Sequence, residues 1–83
     1  MTKKDFENEI KKMIDDGKCD VDANGYISFT FKRTVALKLN CFAVLNCDKI
    51  IFDNGRTEIL SLHRHGIYFG LVDVEDVKDI YFI

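Results

Sequence analysis

The chain has no proline and no tryptophan, and its three cysteines include no Cys-x-x-Cys pair. Without proline, and without any Gly/Ser-rich or low-complexity stretch, there is no linker to divide it, so its 83 residues read as a single domain over 1–83. An odd cysteine count with no framework spacing excludes a disulfide scaffold and fits a reducing, cytoplasmic setting. Long apolar runs are missing too. No segment reaches the length of a membrane span, and Met1-Thr2-Lys3-Lys4-Asp5 lacks the apolar stretch of a secretory signal, so no membrane partner is expected. Finally there is no positive excess. The 12 Lys and Arg against 14 Asp and Glu give a formal net charge of −2, which weighs against holding nucleic acid mainly through its phosphates.

What is present is apolar material in two successive rhythms. Hydrophobic residues make up 47% of the chain, and seven Phe and three Tyr supply large buried areas from few positions. Thr2 with Asp5 forms a helix-start signature, and Phe6, Ile10, Met13 and Ile14 then recur at helical spacing, predicting a helix over about 3–16 with Gly17 as its stop. From Gly25 the period falls to two. Ile27, Phe29 and Phe31 share one face of a strand, Lys32-Arg33-Thr34 reads as a turn, and Val35 to Leu45 reads as a long strand that bends. Cys41 falls on the inward face of that long strand with Leu39 and Ala43. Asn46-Cys47-Asp48 then turns the chain into Lys49–Phe52, and Asp53-Asn54-Gly55-Arg56 carries the Asn-Gly pair of a tight hairpin. Thr57–Leu62 returns, His63-Arg64-His65-Gly66 turns, and Ile67–Val72 follows. Val74–Val77 reads as one helical turn before Ile80–Ile83.

The expected fold is therefore α+β, mostly β: an N-terminal α-helix followed by a five- or six-stranded antiparallel meander. In architecture it is similar to the small SH3-like and Sm-like barrels, or to a strongly bent sheet. The RNA pocket of Sm proteins does not carry over, because Arg64 and Gly66 are separated by His65.

One local motif resembles the EF-hand calcium loop. Asp20, Asp22, Asn24 and Gly25 match its positions 1, 3, 5 and 6, but position 12, which should be a bidentate Glu, is Phe31. The flanking rhythm after the motif is that of a strand, whereas an EF-hand needs an exiting helix. The segment is expected to be a turn between the helix and the first strand. A metal-binding reading built on Asp20, Asp22 and Asn24, or on Cys41, Cys47, His63 and His65 as a zinc set, is the third choice, because the Cys/His spacing matches no familiar zinc module. No cofactor is expected.

Catalysis is not expected either. Cys47, His63 and Asp48 can be assembled into a nucleophile, base and acid on paper, as can the carboxylates Asp73, Glu75 and Asp76, but a chain this short always offers such combinations. A basic set of Lys32, Arg33 and Arg56, with Arg64 at the opposite end, gives a nucleic-acid-binding alternative in which exposed aromatics stack bases around Lys32, Arg33 and Arg64. The acids near Asp73 are expected to neutralise part of it.

The leading expectation is a non-enzymatic protein-interaction module, a self-associating adaptor or an inhibitor of a larger assembly. It rests on aromatic side chains at strand positions expected to stay exposed, Tyr26, Phe42, Tyr68 and Tyr81, together with Phe82 in the last segment. Ile80-Tyr81-Phe82-Ile83 is apolar on both faces and is read as an edge that invites pairing, or as an interior strand with Tyr81 and Ile83 beneath the helix.

Overall fold

A computed structural model describes residues 1–53 and 56–83. Helix α1 spans Lys3–Asp15 and begins as its sequence dictates: Thr2 Oγ1 accepts from the Asp5 N–H at 3.1 Å, and the Asp5 carboxylate accepts from the Thr2 N–H. It ends in a Schellman closure. Gly17 at φ +72° lets its N–H reach the Ile14 carbonyl while the Lys18 N–H reaches that of Met13, both at 2.9 Å, so two otherwise orphaned carbonyls are satisfied.

The acidic segment is not a turn. Cys19–Ala23 forms strand β1, and Asp20 and Asp22 stand opposite Thr30 and Ser28 of β2, which spans Tyr26–Leu39. Only Asn24 and Gly25, the latter at φ +77°, make the connection. Asp and Asn favour turns because their side chains compete for backbone hydrogen bonds. Here the ladder wins, since β1 is an edge strand whose carboxylates remain in solvent, a usual device against unwanted pairing. The helix–loop–helix frame of a calcium site is therefore not formed.

Strand β2 is the spine of the molecule. The expected turn at Lys32-Arg33-Thr34 is a bulge inside it: Thr30 faces Lys49 and Val35 faces Cys47, so three more residues are spent on β2 than the partner can match. The chain bends there and changes neighbours. Before the bulge β2 pairs with β1 on one side, and after it the same side pairs with β6, which spans Val77–Phe82. The long bent strand is thus real but lies over 26–39 instead of 35–45. A turn at Asn40–Ala43 follows, with Phe42 at φ +66°, and leads into β3, Val44–Asp53. Asn46-Cys47-Asp48, expected as a turn, lies inside β3, and Cys41, expected inward, is exposed in the turn.

Strand β4, Arg56–Arg64, pairs with β3 and with β5, Ile67–Asp73. The Asn54-Gly55 pair expected to close the β3–β4 hairpin lies outside the described residues. A single 3₁₀ turn at Val74–Asp76 bridges β5 to β6, as the sequence predicts. The result is a helix and a six-stranded antiparallel sheet in the order β1-β2-β3-β4-β5, with β6 on β2. Among the described residues β5 and β6 share no ladder, so hydrogen bonding does not close the sheet into a barrel.

The sheet curls around one core. Phe6, Ile10 and Met13 of α1 lie against Phe31, Val35 and Leu37 of β2, Cys47, Ile50 and Phe52 of β3, and Leu62 of β4. Val74, Val77 and Ile80 complete it from the last segments. Phe52 receives the edges of two rings, Phe6 at 5.9 Å and Phe29 at 5.6 Å between centroids. Each such side chain taken fully from water contributes about 1.5–3 kcal/mol, so these positions dominate the stability of a small domain. No helix among the described residues is long and apolar enough to cross a membrane.

Candidate interaction surface

The aromatic residues nominated from sequence do not gather in one place. Tyr26 opens β2, Phe42 stands on the β2–β3 turn, Tyr68 lies on β5, and Tyr81 and Phe82 lie on β6. Phe42 is 79% exposed, and Tyr26, Tyr68 and Tyr81 are exposed as expected. Phe82 is half-buried, with Lys18 Nζ 5.4 Å and Arg33 Cζ 5.9 Å from its ring centre. The last strand turns its other face inward from the one expected. Ile80 is buried and Phe82 packs against the core, while Tyr81 and Ile83 are exposed and do not lie beneath the helix. Register decides this, since Ile80 and Phe82 face the fully buried Leu37 and Val35 across the ladder and must share their side of the sheet.

Among the described residues the most exposed apolar element is β5. Among them it pairs only with β4, and Ile67, Tyr68, Phe69 and Leu71 are 69, 52, 40 and 58% exposed. A strand with one paired side presents a row of backbone donors and acceptors, normally blunted by Lys, Pro or a short length. Strand β5 has none of these over seven residues, and its first charge is Asp73. The other edges are guarded, β1 by Asp20 and Asp22 and β6 by Lys78 and Asp79. Sequence reasoning read Ile67–Val72 only as a strand. The signal was there, because the criterion applied to Ile80–Ile83, apolar on both faces without a gatekeeper, applies equally to Ile67–Val72.

The position of β5 is set by the turn before it. His65 at φ +53° and Gly66 at φ +77° form the two-residue connection, both left-handed as a tight hairpin with matching twist requires. A non-glycine residue there is held by its neighbour: the His65 N–H donates to Asp48 Oδ2 at 2.8 Å, and His65 Nδ1 lies 3.8 Å from the same oxygen. The β4–β5 hairpin is thereby tied to β3. Between them runs an open groove of about 560 Å³, walled by Val44, Ile67 and Phe69, with Arg64 and His65 on its rim. Asn46 also lines it, and its Oδ1 is buried without a hydrogen-bond partner.

The alternative sites are not assembled. His63 and His65 do not present a common face: His63 meets Ser61 Oγ at 3.3 Å and the edge of Tyr68 at 5.7 Å, whereas His65 turns to Asp48. No cluster of three or more His, Cys, Asp or Glu suited to a metal occurs among the described residues. Lys32 and Arg33 stand at the β2 bulge, where Arg33 Nη2 donates to the Ile83 carbonyl at 2.6 Å, while Arg64 belongs to the groove by β5.

Burial closes off Cys47, the thiol that the zinc set and the nucleophile have in common. Cys47 is fully buried and its pKa is pushed up to about 12, first by loss of solvent and then by the charge of Asp48. Cys19 is pushed up to about 11, again by burial first and then by Asp20. Both stay protonated at neutral pH, and a neutral buried thiol is a poor nucleophile. Native protein treated with an aromatic disulfide reagent at pH 7.5 is therefore expected to release one equivalent of thiolate, from Cys41, and three in denaturant. Fast release of more than one from the native state would contradict the placement of Cys19 and Cys47.

Comparison with protein-family models, with curated proteins and with solved structures finds no match to this chain. Its function must be argued from its own residues.

Proposed function

We propose that this protein is a non-enzymatic protein-interaction module that binds by strand addition at β5. The observation that supports this reading is the combination on one element of an unpaired edge and apolar side chains exposed on both faces. Main-chain hydrogen bonds along such an edge supply affinity, and the side chains flanking it supply selectivity. The half-open groove beside Ile67 and Phe69 adds a place for a side chain of the incoming strand.

A lysine at Leu71 tests the reading, because a charged side chain on an edge opposes pairing while an exposed position costs the fold within about 0.5 kcal/mol. Affinity capture from the native cell is expected to lose its bound proteins with Leu71→Lys and to keep them with Tyr26→Lys. Identical capture by wild type and Leu71→Lys would reject strand addition. Capture that is abolished by nuclease treatment would favour the nucleic-acid reading in its place.

A further inference from the structure

Resting on that reading, we propose that the strand completing β5 is β5 of a second copy, antiparallel, with the two-fold axis at Gly70.

Symmetry restricts the register before any side chain is considered. An antiparallel ladder alternates hydrogen-bonded and non-hydrogen-bonded pairs, so a two-fold operation can only map the ladder onto itself if one residue faces its own copy. Gly70 is the middle of Ile67–Asp73, next to the extra residue Phe69, and centring there overlaps the two strands over their full length. Centring on Phe69 or Leu71 leaves two residues of each strand unpaired. A side chain at the centre would meet its own copy at close range, whereas glycine leaves the approach open.

The pairs created by this register are mutually compatible. Strand β5 carries one extra residue, Phe69, against β4, so Tyr68 and Leu71, opposite His63 and Ser61, share one face while Ile67, opposite Arg64, lies on the other, and each exposed apolar face meets its own copy across the new ladder. The two Asp73 side chains fall at opposite ends of the ladder, so no like charges stand opposite one another. Apolar area now in water is thereby covered by identical area, as an isologous contact requires.

Charge selects the direction. One end of β5 follows Arg64 and His65, with the Asp48 carboxylate held against His65, and the other runs into Asp73, Glu75 and Asp76. An antiparallel approach sets Arg64 of each copy beside the acidic end of the other, twice over. A parallel approach would set the two acidic ends together.

The register makes a covalent test specific. A Cβ built on Gly70 meets nothing within 4 Å, and its backbone does not need a left-handed φ, so Gly70→Cys has room to fold. In a Cys41→Ser background, oxidised Gly70→Cys is expected to run as a disulfide-linked dimer, and Tyr68→Cys as a monomer, since Tyr68 stands two residues from the axis in each copy. Light scattering of the unmodified chain is expected to give twice the 9.6 kDa of one chain, and Leu71→Lys to halve it. A monomeric wild type, an assembly larger than a dimer, or cross-linking by Tyr68→Cys but not Gly70→Cys overturns self-pairing. If the wild type is monomeric while Leu71→Lys still loses captured proteins, strand addition stands and only the second copy falls. Should Gly70→Cys fail to fold, the mass change with Leu71→Lys still decides the question.

Discussion

Replacing Phe6 by alanine is expected to lower the free energy of unfolding by about 3–5 kcal/mol, the range for deleting a large buried aromatic. Phe6 is 1% exposed and carries the helix onto the sheet through its edge contact with Phe52. Its loss removes the transfer energy of the ring and leaves a hole that Phe29 and Ile10 can only partly fill. The helix has little independent reason to persist. Thirteen residues are marginal as an isolated helix in water, so α1 is held by docking more than by its caps. Urea unfolding followed by circular dichroism checks this: the helical signal and the sheet should be lost together at a much lower midpoint. For a domain of this size each kcal/mol moves the thermal midpoint by roughly 4–8 °C. A cost below about 1 kcal/mol would mean that the helix does not cover this core.

Leu37→Ala is expected to cost about 3–5 kcal/mol as well, for a different reason. Leu37 is fully buried after the bulge of β2, facing Leu45 of β3 on one side and Ile80 of β6 on the other. It lies within Val35–Lys38, the stretch of β2 that joins the meander to the final strand. Truncation should loosen β6 first, since among the described residues β6 has only β2 as a ladder partner. Hydrogen exchange of the Leu37→Ala variant should therefore show amides of Val77–Phe82 losing protection ahead of those in β3 and β4. Uniform loss across the sheet, or an unchanged stability, would argue against β6 depending on the second half of β2. Because small domains hold only about 5–15 kcal/mol in total, either substitution should leave a measurable unfolded fraction near body temperature.

How much of this could be read beforehand follows from the range of the interactions involved. Helix α1 was legible to within a residue, because capping by Thr2 and Asp5, the apolar spacing of Phe6, Ile10 and Met13, and the stop at Gly17 are all local. The 3₁₀ turn at Val74–Asp76 and the hairpin at His65–Gly66 were legible for the same reason. Most strands were recognised as strands, but β1 was read as a turn and two further stretches were misassigned. Lys32-Arg33-Thr34 has the composition of a turn and forms a bulge, and Asn46-Cys47-Asp48 has the composition of a turn and lies inside a strand. In each case cross-strand partners outweighed local preference. Cys47 is held in the core opposite Val35, a contact that no window of neighbouring residues contains.

The candidate surface shows the same division more sharply. Alternating apolar residues mark a strand, but they do not say which strand lies at an edge. Ile67–Val72 and Ile80–Ile83 look alike as letters; one is exposed on both faces, and the other turns Ile80 and Phe82 inward. Sequence by itself determined the class of fold, the helix with its caps and the absence of a paired cysteine framework, because these depend on composition and on periods of two and 3.6 residues. Only the tertiary structure decided that β2 changes partners at a bulge, that β6 shares its edge with β1, and that β5 is left with a free side. Those are facts of strand order, and strand order is settled by burial and hydrogen bonding between residues far apart in the chain.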